Sequence, residues 1–191
     1  MELIFATNNQ HKVEEIQSAI GRKISIRTLS DVGIEVEIPE PHDTLEDNAL
    51  EKSKTIHRIT HTNCFSEDTG LEVDSLRGEP GVKSARYAGE EKNFEKNIQK
   101  LLKNLEGKPD RNARFRTVIS LIWNDQRFFF EGICEGKIID SQKGSNGFGY
   151  DPVFVPNGSK KTFAEMSLEE KNMFSHRKKA ADKLVSFLQN A

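Results

Sequence analysis

Leu3-Ile4-Phe5-Ala6-Thr7-Asn8-Asn9-Gln10-His11-Lys12 changes hydrophobic period within one short stretch, and that change sets the fold class. Residues 3–6 are an apolar run and Thr7-Asn8-Asn9 is polar; from His11 onward Val13, Ile16, Gln17 and Ile20 fall on one helical face until Gly21. A buried strand hands over, through a polar turn, to an amphipathic helix. Ile24, Ile26 and Thr28 alternate as a second strand, and Ile34, Val36 and Ile38 read as a third extended piece before Pro39. Thr44 with Asp47 is a capping signal that opens a helix to about His61, with Leu45, Ala49, Ile56 and Ile59 on its apolar face. Asn63-Cys64-Phe65-Ser66 reads as a strand that ends on Glu67-Asp68-Thr69-Gly70. The segment Arg77-Gly78-Glu79-Pro80-Gly81-Val82 reads as a loop at the rim of a cleft, without regular structure. Residues 92–105 form a helix whose buried stripe is Phe94, Ile98, Leu101, Leu102 and Leu105. Residues 114–123 and 127–132 flank the hairpin signal Asn124-Asp125-Gln126, and residues 136–139 continue the sheet. A last helix runs from near Ser175 to about Gln189 with Ala180, Ala181, Leu184, Val185 and Leu188 inward. The order of elements predicts an α/β fold with a mixed β-sheet, long strands in the second half and flanking helices.

At 191 residues the chain has one substantial core, hence a single domain over residues 1–191 with room for a smaller lobe. Lys and Arg total 28 against 30 Asp and Glu, a formal charge of -2, which excludes the broad basic footprint of a duplex-binding protein. It also disfavours a single-strand module, which needs exposed aromatics in a basic groove, so no nucleic-acid partner is expected. An anionic ligand must then be held by a local cluster. Cys64 and Cys134 each lie in an apolar stretch without a CxxC or HxxxH neighbour and read as buried thiols in a reducing compartment, with a disulfide or a zinc pair as the weaker alternative. Met1-Glu2-Leu3-Ile4-Phe5-Ala6 has no basic flank and no run of about 18 apolar residues occurs, so a soluble cytoplasmic protein without a membrane partner is expected. There is no GxxxxGK[ST] loop, no GxGxxG after a strand and no GxSxG elbow.

Five places carry chemistry. Thr7-Asn8-Asn9-Gln10-His11-Lys12 sits where backbone N–H groups and the positive end of a helix favour an anion, with Lys12 in the first turn; an ordinary N-cap is the alternative. Glu67-Asp68-Thr69-Gly70 places two adjacent carboxylates at the end of a buried strand, suited to magnesium held by one or two carboxylates plus substrate phosphates. A solvated turn is the competing reading there. Glu40 and Asp43 supply either another ligand or plain surface charge. Gly147-Phe148-Gly149-Tyr150-Asp151-Pro152 offers an aromatic face in a flexible loop, with Asp151 either on a base edge or capping the loop; plain packing of Phe148 is the bland reading. Lys171 precedes Ser175-His176-Arg177, and basic residues in the first turn of a helix oppose its dipole, which hints at an anionic or hydrogen-bonding partner. An aromatic face with donors nearby is what a purine site needs.

The chain resembles the inosine triphosphate pyrophosphatase family at Thr7-x-Asn9-x-x-Lys12, Glu67-Asp68-Thr69-Gly70-Leu71, Pro80-Gly81 with Ser84-Ala85-Arg86-Tyr87, Phe148-Gly149-Tyr150-Asp151-Pro152, and Ala164-Glu165-Met166 through Glu170-Lys171-Asn172 to Ser175-His176-Arg177. These blocks keep the family's order over residues 7–177. The resemblance implies two lobes around a central nucleotide-binding cleft, a homodimer, and hydrolysis of ITP, dITP and XTP to monophosphate and pyrophosphate with Mg2+. It implies Asp68 at the reaction centre, Glu40 and Asp68 as metal ligands, and Thr7, Asn8, Asn9, Gln10, His11, Lys12, Lys52 and Lys171 around the triphosphate. Phe148 would stack on the purine beside Gly149 and Tyr150, Asp151, His176 and Arg177 would read its edge, and Thr69 would border the substrate. Asn8 departs from the family's usual glycine; asparagine tolerates left-handed backbone, so the turn survives with phosphate approach altered. Two other functions compete. A pyrophosphatase of the septum-inhibition type would act on modified pyrimidine nucleotides, and Ser175-His176-Arg177 argues against it. A purine nucleotide sensor without turnover would keep Phe148 but need not keep both Asp68 and Lys12.

Overall fold

The computed structural model describes residues 2–21 and 24–191; Met1, where the N-terminal reading began, lies outside them, as do Arg22 and Lys23. In chain order the elements are β1 (Glu2–Phe5), α1 (Gln10–Ile20), β2 (Ser25–Thr28), α2 (Leu45–Thr60), β3 (Cys64–Val73), β4 (Pro80–Gly81), α3 (Phe94–Asn104), β5 (Asn112–Trp123), β6 (Gln126–Ile138), β7 (Phe154–Pro156), α4 (Leu168–Asn172) and α5 (His176–Leu188). The strands form one mixed sheet in the order β2-β1-β3-β5-β6-β7, with β4 paired to β3. The chain divides into two compact units, Met1–Asp68 with Thr117–Gly132 and His176–Ala191, and Thr69–Arg116 with Ile133–Ser175.

In the first unit β1 runs parallel to both β2 and β3, with Phe5 opposite Thr28 on one side and Phe65 on the other. Alternation along the strands builds two cores. Leu3, Phe5, Phe65, Ile119 and Leu121 pack with Val13 and Ile16 of α1 and with Ala180, Ala181 and Leu184 of α5. Ile4, Ala6, Cys64 and Ile122 pack with Leu29 and with Ile56 of α2. The Asn124-Asp125 hairpin is as the sequence reads, with φ of 49° and 62° at the two residues, the left-handed pair of a two-residue turn that matches strand twist. Ile34, Val36 and Ile38 do alternate in burial and lean on the α2-side core, but they join no strand. Ile59, read as core, is 53% exposed near the end of α2.

The second unit is built around Leu71, Val73, Ile98, Leu101, Leu105, Phe115, Phe154 and Phe163. β3 does not stop at Glu67-Asp68-Thr69-Gly70 but runs on to Val73. Gly70 is therefore no turn residue: a Cβ there would lie 2.7 Å from the carbonyl oxygen of Gly81, so glycine is what lets the β4 backbone close on β3. The 77–82 segment, read as irregular, contains that two-residue strand, with Leu71 opposite Gly81 and Glu72 opposite Pro80. Phe94 begins α3 at 38% exposure, outside the buried stripe assigned to it. β7 and the short α4, capped reciprocally by Ser167 and Glu170, carry no periodic signal. Both cysteines are buried, and burial pushes the Cys64 thiol up to about 12. No helix among the described residues is long and apolar enough to cross a membrane.

Candidate active site

Past Phe5, paired with Phe65, the chain leaves β1 while β3 continues, which puts Glu67 and Asp68 just beyond the carboxyl end of β1. Crevices outside the carboxyl ends of parallel strands are where α/β proteins collect ligands. Thr7 Oγ1 accepts from the Asn9 N–H at 3.2 Å, and Asn9 Oδ1 accepts from the Lys12 N–H at 3.3 Å as the N-cap of α1. Asn9 therefore does the ordinary capping task that its position allows. Asn8 is not among the residues of positive φ, so this position does not call for glycine on backbone grounds. Its side-chain amide instead donates to the Val36 carbonyl at 2.9 Å. Gln10 and His11 lie exposed in the first turn of α1.

The adjacent carboxylates of β3 take different partners, as period-two alternation requires. Glu67 shares the face of Phe65 and meets α1 and α5. Lys12 Nζ lies 2.9 Å from Glu67 Oε1, and the Arg177 guanidinium binds Glu67 through Nε at 2.8 Å and Nη2 at 3.1 Å. Arg177 Nη1 also pairs with Glu15. Arg177 is only 2% exposed, and at least three of its N–H groups serve these two glutamates. Burial alone would raise Glu67, yet Arg177 and Lys12 hold its carboxyl well below the usual range. Arg177 thus has a structural task, neutralising buried carboxylates, beside the edge-reading task that the resemblance implies.

Asp68 shares the face of Cys64 and meets α2. Lys52 Nζ lies 3.0 Å from Asp68 Oδ1 and 2.7 Å from Glu40 Oε1, so one ammonium bridges the two carboxylates expected to bind metal. Burial pushes the Asp68 carboxyl above its ordinary value against the pull of Lys52 and Lys12, and Glu40 adds to the push. Burial disfavours charge on Lys52, but Asp68 and Glu40 hold it above its ordinary value. The result is a cationic lysine beside a carboxylate with a heightened appetite for a proton. Two carboxylates within reach of one point are also the donor type that a hard divalent cation takes.

The second unit holds Thr69, Phe148, Gly149, Tyr150, Asp151 and Lys171. Phe148 is half-buried in a loop, where its N–H donates to Asp151 Oδ2 at 3.0 Å, so Asp151 caps the loop. Lys171 Nζ meets the same oxygen at 2.6 Å and lies 5.6 Å from the centre of the Phe148 ring. Lys171, assigned by resemblance to the triphosphate, is a buried counterion of Asp151 in this unit, whereas Lys12 and Lys52 belong to the first. Gly147 has φ of 72°, and a Cβ on it would fall 2.0 Å from Asp151 Oδ2. Gly147 thus serves the Asp151 clamp. The Phe94 ring centre lies 6.0 Å from that of Phe148. The Tyr150 hydroxyl donates to the Ser84 carbonyl at 2.8 Å and its ring is core, which makes Tyr150 a scaffold for the loop.

Two residues escaped the sequence reading. Glu15 stands beside the apolar stripe of α1 and looks like a solvent residue; its three-residue spacing from Lys12 is the only local signal. Asn48 lies between Leu45 and Ala49 on the buried face of α2, one turn ahead of Lys52, and grips the backbone of His42.

A lysine-bridged carboxylate pair beside a strand-to-helix turn is the equipment of a phosphate-handling α/β enzyme. The Ham1 family model matches residues 3–187. The chain is 50% identical over 188 residues to a Porphyromonas gingivalis protein named dITP/XTP pyrophosphatase, covering 98% of this chain and 97% of that one. It is 48% identical over 188 residues to a Flavobacterium johnsoniae protein of the same name, covering 98% of each. Among solved structures it is similar to the Ham1 protein of Staphylococcus aureus, with a TM-score of 0.89 at 39% identity over 100% of this chain and 99% of that one. A HAM1 protein from Coxiella burnetii gives 0.90 at 34% identity over 100% of both chains. The chain belongs to the Ham1 family.

Proposed function

We propose that the protein hydrolyses non-standard purine nucleoside triphosphates of the dITP, ITP and XTP type to the monophosphate and pyrophosphate. The observation that carries this reading is Asp68, a buried carboxylate of raised proton affinity that is bridged through Lys52 to Glu40. Water attacks the α-phosphorus; as its oxygen bonds to phosphorus, Asp68 takes its proton and the bond to the β-phosphate oxygen breaks, releasing pyrophosphate. Lys52 and Lys12 keep positive charge beside the carboxylates, so the triphosphate is not repelled, and the α1 N-terminus favours its oxygens.

Glu40 and Asp68 fit a magnesium ion that comes with the nucleotide. No cluster of three or more His, Cys, Asp or Glu side chains able to hold a metal occurs among the described residues, and magnesium takes one or two carboxylates, completing its shell with water and phosphate oxygens. When bound, the ion supplies neutralisation of phosphate oxygens and a more acidic attacking water.

In the second unit Phe148 offers a ring face for the purine, and its loop is held by Asp151 and Lys171. Hypoxanthine and xanthine present a 6-oxo acceptor and an N1–H donor where adenine presents the reverse. A site built on those hydrogen bonds discriminates by about 10⁴ or more. Rates with ITP, dITP, XTP, GTP and ATP at saturating magnesium test this: ITP, dITP and XTP are expected to exceed ATP by about 10⁴-fold or more, the range of polar-edge discrimination. Equal rates for ITP and ATP would remove the selectivity from this reading.

A further inference from the structure

Glu40 stands in the sequence Pro39-Glu40-Pro41, within a stretch from 34 to 41 that has no regular structure. Proline on each side fixes φ and stiffens the segment, so the position of the Glu40 carboxylate depends on where the segment is fastened. It is fastened at both ends by asparagine amides. Upstream, Asn8 Nδ2 donates to the Val36 carbonyl at 2.9 Å. Downstream, Asn48 Oδ1 accepts from the His42 N–H at 2.9 Å while Asn48 Nδ2 donates to the His42 carbonyl at 3.0 Å. Asn48 is buried, and on α2 it lies one turn before Lys52, whose ammonium receives Glu40 at 2.7 Å. The same helix face therefore carries the downstream clamp and the counterion. Asn8 stands where the resemblance leads one to expect glycine, and glycine cannot make the upstream bond.

We propose that Asn8 and Asn48 are positioning residues that hold the Pro39-Glu40-Pro41 segment against Lys52 and so set the affinity of Glu40 for a divalent cation. This rests on the reading of Glu40 as a metal ligand. Asn8 acts through its hydrogen bond to Val36, and Asn48 through its two hydrogen bonds with the His42 backbone; neither needs to touch the substrate. Asn8 therefore adjusts metal affinity where a phosphate contact would adjust nucleotide affinity.

The test compares the full chain with Asn8→Gly, Asn48→Ala, Glu40→Gln and the double variant Asn8→Gly/Glu40→Gln. Two quantities are read: affinity for Mn2+ alone, from the electron paramagnetic resonance signal of free ion, and the Mg2+ concentration that half-saturates ITP hydrolysis. Asn8→Gly is expected to weaken both by about 3- to 10-fold, the size of one hydrogen bond. Added to Glu40→Gln it should weaken neither further, because residues that act through one another are not additive. Asn48→Ala is expected to weaken both more; where that variant does not fold, Asn8→Gly carries the test alone. The proposal is overturned if Asn8→Gly has the same effect with and without Glu40, or if it raises the KM for ITP while Mg2+ dependence stays fixed. A change in Glu40→Gln without one in Asn8→Gly overturns the positioning role and leaves Glu40 as a ligand. No change in Glu40→Gln overturns the ligand reading, and this inference with it.

Discussion

Asp68→Asn is expected to lower turnover of ITP by about 10²–10⁴-fold, the range covered by loss of a positioned general base. The substitution keeps the shape of the side chain, and Lys52 keeps Glu40 as its partner, so nucleotide binding by equilibrium dialysis should stay measurable. What disappears is the proton acceptor. In the folded protein burial holds the Asp68 carboxyl above its ordinary value while Lys52 and Lys12 oppose the rise, so the group takes a proton more readily than a solvated aspartate does. An amide offers no such acceptor and no anionic donor for a metal. Wild-type turnover in Asp68→Asn would contradict a central role for this residue.

Arg177→Met is expected to cost about 3–5 kcal/mol of stability, because removing one partner from a buried charge cluster leaves the others uncompensated. Glu67 and Glu15 are both buried, and both face the Arg177 guanidinium. With Arg177 gone, Lys12 still faces Glu67. Adding Glu67→Gln should recover part of the loss, which urea unfolding of the single and double variants would show. The residual rates of Arg177→Met with ITP and ATP should fall by a common factor if its weight is structural, whereas a selective loss on ITP would give Arg177 a part in base reading. The sign of the pH effect follows from the lowered pKa of Glu67. Its contribution is complete above the ordinary carboxylate range and is lost as pH falls through that range toward its depressed folded value. A stability loss for Arg177→Met below about 1 kcal/mol, the scale of an exposed pair, would contradict the cluster's importance.

Local patterns made much of the molecule legible. The apolar run, polar turn and 3.6-residue period over residues 3–20 give β1 and α1, Asn124-Asp125 gives the hairpin, and the Ala180 to Leu188 spacing gives α5. What local patterns hide is pairing across the chain. Asp-Thr-Gly has the composition of a turn, yet β3 passes through it because β4 closes on Gly70, a fact set by residues ten and more positions away. The partners of charged residues are hidden too: Arg177, expected at a base edge, finds Glu67 and Glu15 at separations of 110 and 162 residues. In the same way Lys171 turns to Asp151, and Lys52 gathers Glu40 and Asp68 from two different segments. Residue identities thus announced phosphate and carboxylate chemistry, while the division of labour between Glu67 and Asp68 came from strand parity.

Hydrolysis of ITP in heavy-oxygen water, with both products weighed by mass spectrometry, reads the site of attack most directly. Attack on the α-phosphorus with Asp68 as base places the heavy oxygen in inosine monophosphate and none in pyrophosphate. Label in pyrophosphate, or release of inosine diphosphate with orthophosphate, would contradict it.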